Sequence, residues 1–279
     1  MAWLLLISGL LILTGGAHAL VKGGAGLALR FGLTPLVIGL TVMAYGTSSP
    51  EVVVSAQAAL RERPAIAIGN VIGSNLCNLA LILGVCALVR PLTAVAAVIR
   101  REVPILIGVT VVAALVLIDG RLQPWEGVAL LVGLVAYTWT TVQGARREAG
   151  GLADQEYAQE LGPKPKLGLA IGLTIGGLAL LVLGSDLFVR GAITIAQSFG
   201  LSEIVIGLTV VAVGTSLPEL ATSLVAAIKG ETDVAIGNVV GSNMFNILGI
   251  LGLVAVLGGG ETGGLAVSDL VILLVVTIA

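Results

Sequence analysis

Long apolar runs, each closed by a short polar or glycine- and proline-bearing break, organise this chain from its first residues. The runs near Ala2–Leu29, Leu33–Leu60, Ala65–Val89, Val98–Ile118 and Pro124–Val142 approach or exceed the roughly 20 residues that an apolar layer of about 30 Å demands of a helix. Residues 143–166 interrupt the pattern with Arg146, Arg147, Glu148, Asp154, Glu156, Pro163, Lys164, Pro165 and Lys166, which reads as a polar linker. Apolar runs resume near Leu167–Gln197, Leu201–Ile228, Val234–Leu257 and Leu265–Ile278. Nine spanning helices are therefore expected, and the fold class is an all-α integral membrane bundle.

Sliding the second half onto the first by about 168 positions exposes an internal repeat. Residues 33–84 align without a gap on residues 201–252, with roughly 28 of 52 positions identical. The same register pairs Gly16 with Gly184, His18 with Asp186, Lys22 with Arg190 and Gly23 with Gly191, so the repeat reaches back through the first helix of each half. The chain divides into a first five-helix repeat (1–142), a cytoplasmic linker (143–166) and a second repeat (167–279). With an odd number of helices per unit, the second copy enters the membrane from the opposite side, the inverted repeat of many secondary transporters. On this count the second copy lacks its last helix, and a truncated ten-helix bundle is the expectation.

Charge placement orients the bundle. With the N-terminus outside, Arg30, Arg90, Arg100, Arg101, Arg146, Arg147, Lys164, Lys166 and Lys229 fall on the cytoplasmic side, against Arg61, Arg63 and Arg121 outside. Composition agrees with a membrane protein: 57% hydrophobic, 11% charged and a mean hydropathy of +1.10, against about 25% charged in soluble chains. A net charge of −2 gives no bulk field toward nucleic acid. Cys77 and Cys86 share one apolar run, too far apart along a helix to bridge, and read as small buried hydrophobes. The first run lacks a basic leader and a cleavage site, so it reads as a retained span.

The second helix of each repeat carries G-T-S-x-P-E: Gly46, Thr47, Ser48, Pro50 and Glu51, then Gly214, Thr215, Ser216, Pro218 and Glu219. Proline has no N–H and crowds the carbonyl four residues back, so Pro50 should free Gly46 O and Pro218 should free Gly214 O at membrane depth, where free carbonyls can bind cations. The spacing of four between Thr47 and Glu51, and between Thr215 and Glu219, predicts each pair stacked on one helix face. The third helices carry G-N-V-x-G-S-N-x-x-N, which supplies Asn70, Ser74 and Asn78 in one copy and Asn238, Ser242 and Asn246 in the other. Their glycines leave room for close helix approach.

A carboxylate at the centre of a membrane helix costs roughly 2.5–3.5 kcal/mol on insertion scales, so two matched glutamates need a partner. No Lys or Arg stands in either motif. Two carboxylates with hydroxyl, amide and carbonyl oxygens form an all-oxygen set that suits Ca²⁺ or Na⁺ and offers no soft ligand for Zn²⁺ or Cu⁺. One Ca²⁺ would neutralise Glu51 and Glu219. If the same oxygens can instead surround several Na⁺, occupancy by one ion set excludes the other, which is the logic of an antiporter.

The paired GTSxPE and GNVxGSNxxN segments resemble the two alpha repeats of the sodium/calcium exchanger family, within the cation/calcium exchanger superfamily. The resemblance covers nearly the whole chain. It implies ten helices, alternating access by sliding of the first helices of the two repeats against a fixed core, and exchange of cytosolic Ca²⁺ for external Na⁺ without ATP or any bound cofactor. By that resemblance Glu51 and Glu219 are the shared carboxylates, Thr47 and Thr215 add backbone and hydroxyl oxygens, Ser74 and Ser242 line Na⁺ sites, and Ala44 and Ala212 lend carbonyls. Asn78 and Asn246 complete the polar set. Some relatives carry Asp where Asn246 stands, so this site has two acidic groups and not three, which argues against potassium dependence. The linker is too short for the calcium-sensing domains of larger relatives.

Rival readings remain within the superfamily and outside it. A proton-coupled calcium antiporter resembles this chain closely, but that branch puts Asn where Thr47 and Thr215 stand. An intramembrane enzyme would need a nucleophile with a base, and His18 is the only histidine while Ser48 and Ser216 have none apparent. A channel would need a continuous pore in place of broken helices meeting at the midplane. Asn70 and Asn238 read as supports of the site or helix–helix glue, His18 and Asp186 as interfacial groups, and Trp3, Trp125 and Trp139 as interfacial anchors. Short loops place the protein in a prokaryotic cytoplasmic membrane, in contact with lipid.

Overall fold

A computed structural model describes residues 2–31, 33–62, 64–94, 96–148, 166–199, 212–261 and 267–279. The first repeat opens with α1 (Ala2–Phe31). It continues through the broken pair α2 (Pro35–Thr47) and α3 (Ser49–Leu60), bent by 47° at their junction, and α4 (Pro64–Val89). A π-turn at Val98–Glu102 then leads into α5 (Val103–Leu117), and α6 (Pro124–Glu148) closes the unit. The second repeat runs through α7 (Leu167–Ser198), α8 (Ala212–Thr215), α9 (Leu217–Lys229), α10 (Thr232–Leu257) and α11 (Val267–Ile278). Helix α6 continues to Glu148, into the stretch read as linker, and 149–165 lie outside the described residues. The first eleven residues of the expected Leu201–Ile228 span do too, since 200–211 are not described.

The broken helices follow from their prolines. Pro50 and Pro218 stand in the first turn of α3 and α9, where a missing N–H costs nothing, so the chain restarts a helix there instead of bending a continuous one. Ser48 and Ser216 take the hinge, with ψ near 10° and 8° in place of the helical value. The third helices deviate in matched places as well. A π-turn occupies Cys77–Ile82 in α4 and Phe245–Leu251 in α10, each directly after the GSN motif.

Helices α1 and α7 pack antiparallel along most of their lengths through glycines spaced by seven: Gly9, Gly16 and Gly23 on one, Gly177, Gly184 and Gly191 on the other. A Cβ at Gly16 would lie 2.9 Å from Leu181 N, and one at Gly184 would lie 2.7 Å from Leu13 N, so both backbones touch where no side chain fits. Because residues nine and 177, sixteen and 184, and 23 and 191 are repeat equivalents, the pair is built around the same pseudo-two-fold axis as the rest of the molecule.

Helix α10 is enclosed along most of its length, with 83% of its most apolar stretch buried, against 39% for its equivalent α4. On one side α2 presses on it so closely that a Cβ at Gly237 would lie 2.8 Å from Leu36 O. On the other, α6 crosses from the first repeat, and Gly252 comes against Gly127 O. Tyr45 stacks on Phe245 with ring centroids 4.6 Å apart and bonds Thr138, tying α2, α10 and α6 together. At one end of the bundle Arg121–Leu122 (β1) pairs with Gly260–Glu261 (β2); at the other, Arg90 donates to Ile228 O at the end of α9. Cys77 and Cys86 are free thiols.

Candidate ion-binding site

The inverted symmetry brings the two hinges face to face. Ser48, at the first hinge, donates to Glu219 Oε1 at 2.7 Å, and Ser216, at the second, donates to Glu51 Oε1 at 3.2 Å. Each carboxylate is therefore held by the hydroxyl of the opposite repeat. Thr215 and Thr47 also interact with the carboxylates across the axis, Thr215 with Glu51 and Thr47 with Glu219. Both glutamates are 1% exposed. Thr47 and Glu51 stand on either side of the 47° bend at Ser48. The Thr47 hydroxyl turns to Asn238 Oδ1 and Ala44 O, both at 3.3 Å.

A second reciprocal pair closes the site from the third helices. Asn78 donates to Asn243 Oδ1 and Asn246 donates to Asn75 Oδ1, each at 3.2 Å. These bonds spend the amide N–H groups of Asn78 and Asn246 on the opposite repeat and leave their carbonyl oxygens without a partner. Glu51 Oε2 and Glu219 Oε2 are likewise buried and unpartnered. Four acceptor oxygens, one carboxylate and one amide from each repeat, are thus buried without a hydrogen-bond partner, as are the amide nitrogens of Asn75 and Asn243. At about 1–3 kcal/mol for each buried unsatisfied group, such a set persists where a cation completes it.

The remaining expected residues take supporting places. Ser242 donates to Ala44 O at 3.4 Å, so Ala44, Thr47 and Ser242 converge, while Ser74 is buried on α4 and Ala212 opens α8. Asn70 and Asn238 donate to Ser55 and Ser223 at 2.9 and 3.0 Å, and brace α3 and α9 against α4 and α10. The expectation that Pro50 and Pro218 release bare carbonyls is corrected here. Ser49 donates to Gly46 O at 2.6 Å and Ser185 donates to Gly214 O at 2.7 Å, so both carbonyls are occupied by hydroxyls. Ser48, Ser216, Asn75 and Asn243 were not among the expected site residues, yet all four are identical between the repeats, the same signal that singled out the glutamates. Among the described residues no group of three or more His, Cys, Asp and Glu side chains forms, which leaves an oxygen set with two carboxylates.

The comparisons identify the family to which this fold belongs. A family model described as sodium/calcium exchanger protein matches residues 1–143 and 169–279. The inner membrane protein YrbG of Escherichia coli is 42% identical over 282 residues, covering 100% of this chain and 87% of its own length. The sodium/calcium exchanger MaX1 of Methanosarcina acetivorans is 33% identical over 285 residues, covering 90% of this chain and 81% of that one. A solved structure of the sodium-calcium exchanger NCX_Mj, soaked with 2.5 mM Na⁺ and 0.1 mM Ca²⁺, superposes with a TM-score of 0.86 at 33% identity, over 99% of this chain and 88% of that one. The fold and the match are those of a multi-pass membrane exchanger. The chain belongs to the sodium/calcium exchanger family.

Proposed function

We propose that this protein exchanges Ca²⁺ for Na⁺ across the membrane, with both ions taken in turn at the site between Glu51 and Glu219. The observation that carries the proposal is the set of four buried, unpartnered acceptors: Glu51 Oε2, Glu219 Oε2, Asn78 Oδ1 and Asn246 Oδ1. Two carboxylates match the charge of one Ca²⁺, and hard oxygen donors match its chemistry. Thr47, Thr215, Ser74, Ser242 and the Ala44 and Ala212 carbonyls would hold Na⁺ around the same carboxylates. Because Na⁺ and Ca²⁺ then compete for shared oxygens, filling with one empties the site of the other, and a gradient of either drives the other.

Sodium is favoured as the coupling ion by the names of MaX1 and NCX_Mj and by the Thr hydroxyls at Thr47 and Thr215. The amide at Asn246 leaves no third acid for a potassium-coupled scheme. The name of the Escherichia coli relative supports a location in the prokaryotic cytoplasmic membrane. The test is ⁴⁵Ca²⁺ uptake into proteoliposomes under outward gradients of Na⁺, K⁺ or H⁺, or none. Uptake driven by Na⁺ alone is expected. Uptake driven by protons would move the protein to the proton-coupled branch, and flux without any gradient would refute exchange.

A further inference from the structure

The two hinge carbonyls are satisfied by different parts of the molecule. In the first repeat Gly46 O accepts from Ser49, three residues on in its own chain turn. The equivalent of Ser49 is Leu217, which has no hydroxyl, and Gly214 O accepts instead from Ser185 on α7. The equivalent of Ser185 on α1 is Ala17, so the first repeat has no matching bond. Ser185 is 6% exposed and its bond to Gly214 O spans 29 residues of sequence. It sits in the wall of a cavity of about 300 Å³, lined by Ser49, Pro50 and Val54 of α3, by Ser185 and Asp186 of α7, and by Thr215 of α8.

We infer that Ser185 is a positioning residue that ties α7 to the hinge of the second repeat through Gly214 O, and so holds the conformation in which this cavity lies between α3, α7 and the second hinge. The inference rests on the exchanger reading, in which α1 and α7 slide as the site changes access. Pro218 has removed the helical donor that would otherwise serve Gly214 O, so the carbonyl needs a hydroxyl in any dry conformation. In the first repeat that hydroxyl travels with the hinge. In the second it belongs to a different helix, and any displacement of α7 along the core must break the bond. The molecule therefore carries one tie of this kind and not two, and its two access states are unequal by the worth of that bond. Interhelical hydrogen bonds in membranes correspond to roughly a three- to tenfold shift in such an equilibrium.

The test uses the full chain in nanodiscs, with Cys77 and Cys86 replaced by Ala and Val54→Cys as a reporter in the cavity wall, and follows the rate of maleimide labelling without Ca²⁺ or Na⁺. Ser185→Ala should slow labelling about three- to tenfold, and Ser185→Thr should restore it. The double variant Ser185→Ala/Leu217→Ser gives the carbonyl a local donor, as Ser49 does, but no tie to α7; its labelling should stay slow. An unchanged or faster rate in Ser185→Ala, or full recovery in the double variant, would overturn the inference. Na⁺-driven Ca²⁺ uptake by the parent protein separates the two failures: no uptake refutes the exchanger reading, whereas uptake with an insensitive labelling rate refutes only the tie.

Discussion

The two hinges share a motif, a bend and a carboxylate, yet they are held differently. Toward the ion site they are reciprocal: Ser48 serves Glu219 and Ser216 serves Glu51, and Asn75 and Asn243 exchange roles with Asn246 and Asn78. Away from the site they diverge, since Gly46 O is capped from within and Gly214 O from α7. The difference teaches that symmetry is kept where each repeat contributes one half of the proposed ion cage. It is relaxed where each repeat meets its own surroundings. A transporter whose two access states were related by perfect symmetry would have no preferred state; local asymmetries such as Ser185 set the preference.

The comparison can be broken most severely at the axis itself. Gly184→Leu would drive a branched side chain into the Leu13 backbone, and since overpacking costs about 1–3 kcal/mol even where neighbours yield, and here a backbone must move, the expected outcome is loss of the folded monodisperse protein on size-exclusion chromatography. Next come the hinge hydroxyls. Ser48→Ala and Ser216→Ala each strip a carboxylate of one donor, at about 1.5–3 kcal/mol for a hydrogen bond to a charged group. Calcium affinity measured by titration calorimetry should change in both. The Ser48 variant should show the larger effect, because its bond is 2.7 Å against 3.2 Å.

Smaller effects sharpen the contrast between the copies. Asn70→Ala removes the brace to Ser55 and should lower thermal stability by about 1 kcal/mol with little change in ion preference, whereas Asn238→Ala removes the brace to Ser223 and also the acceptor of the Thr47 hydroxyl, and should weaken Na⁺ competition as well. The smallest effect is expected at the bundle end. Arg90 donates to Ile228 O at an exposed position, while its repeat equivalent Gly258 makes no such reach and packs under Ala59 O. Arg90→Ala should therefore lower the melting temperature by the equivalent of about 0.5 kcal/mol and leave Ca²⁺ uptake unchanged.

Much of this architecture was legible in the sequence because membrane helices announce themselves by length and because the repeat is strong. The register of about 168 named Glu51, Glu219, Asn78 and Asn246 as equivalents before any contact was known. What the register does not contain is which equivalents face each other. The inverted axis pairs Ser48 with Glu219 and not with Glu51, its near neighbour in sequence. The same blindness hid the partner of Thr47, whose hydroxyl reaches Asn238 Oδ1 of the opposite repeat. Ser185 was invisible for a different reason. It lies outside both motifs and differs from its equivalent Ala17, so neither repetition nor pattern marks it.

The central claim is that Glu51 and Glu219 form one shared cation site and not two separate ones. Titration of Ca²⁺ into the purified protein and into Glu51→Gln, Glu219→Gln and the double variant tests it most directly. The account predicts one Ca²⁺ per chain in the parent, loss of measurable binding in either single variant, and no further loss in the double, since residues that act as a unit are not additive. Retention of Ca²⁺ binding in both single variants, with the losses adding in the double, would contradict it.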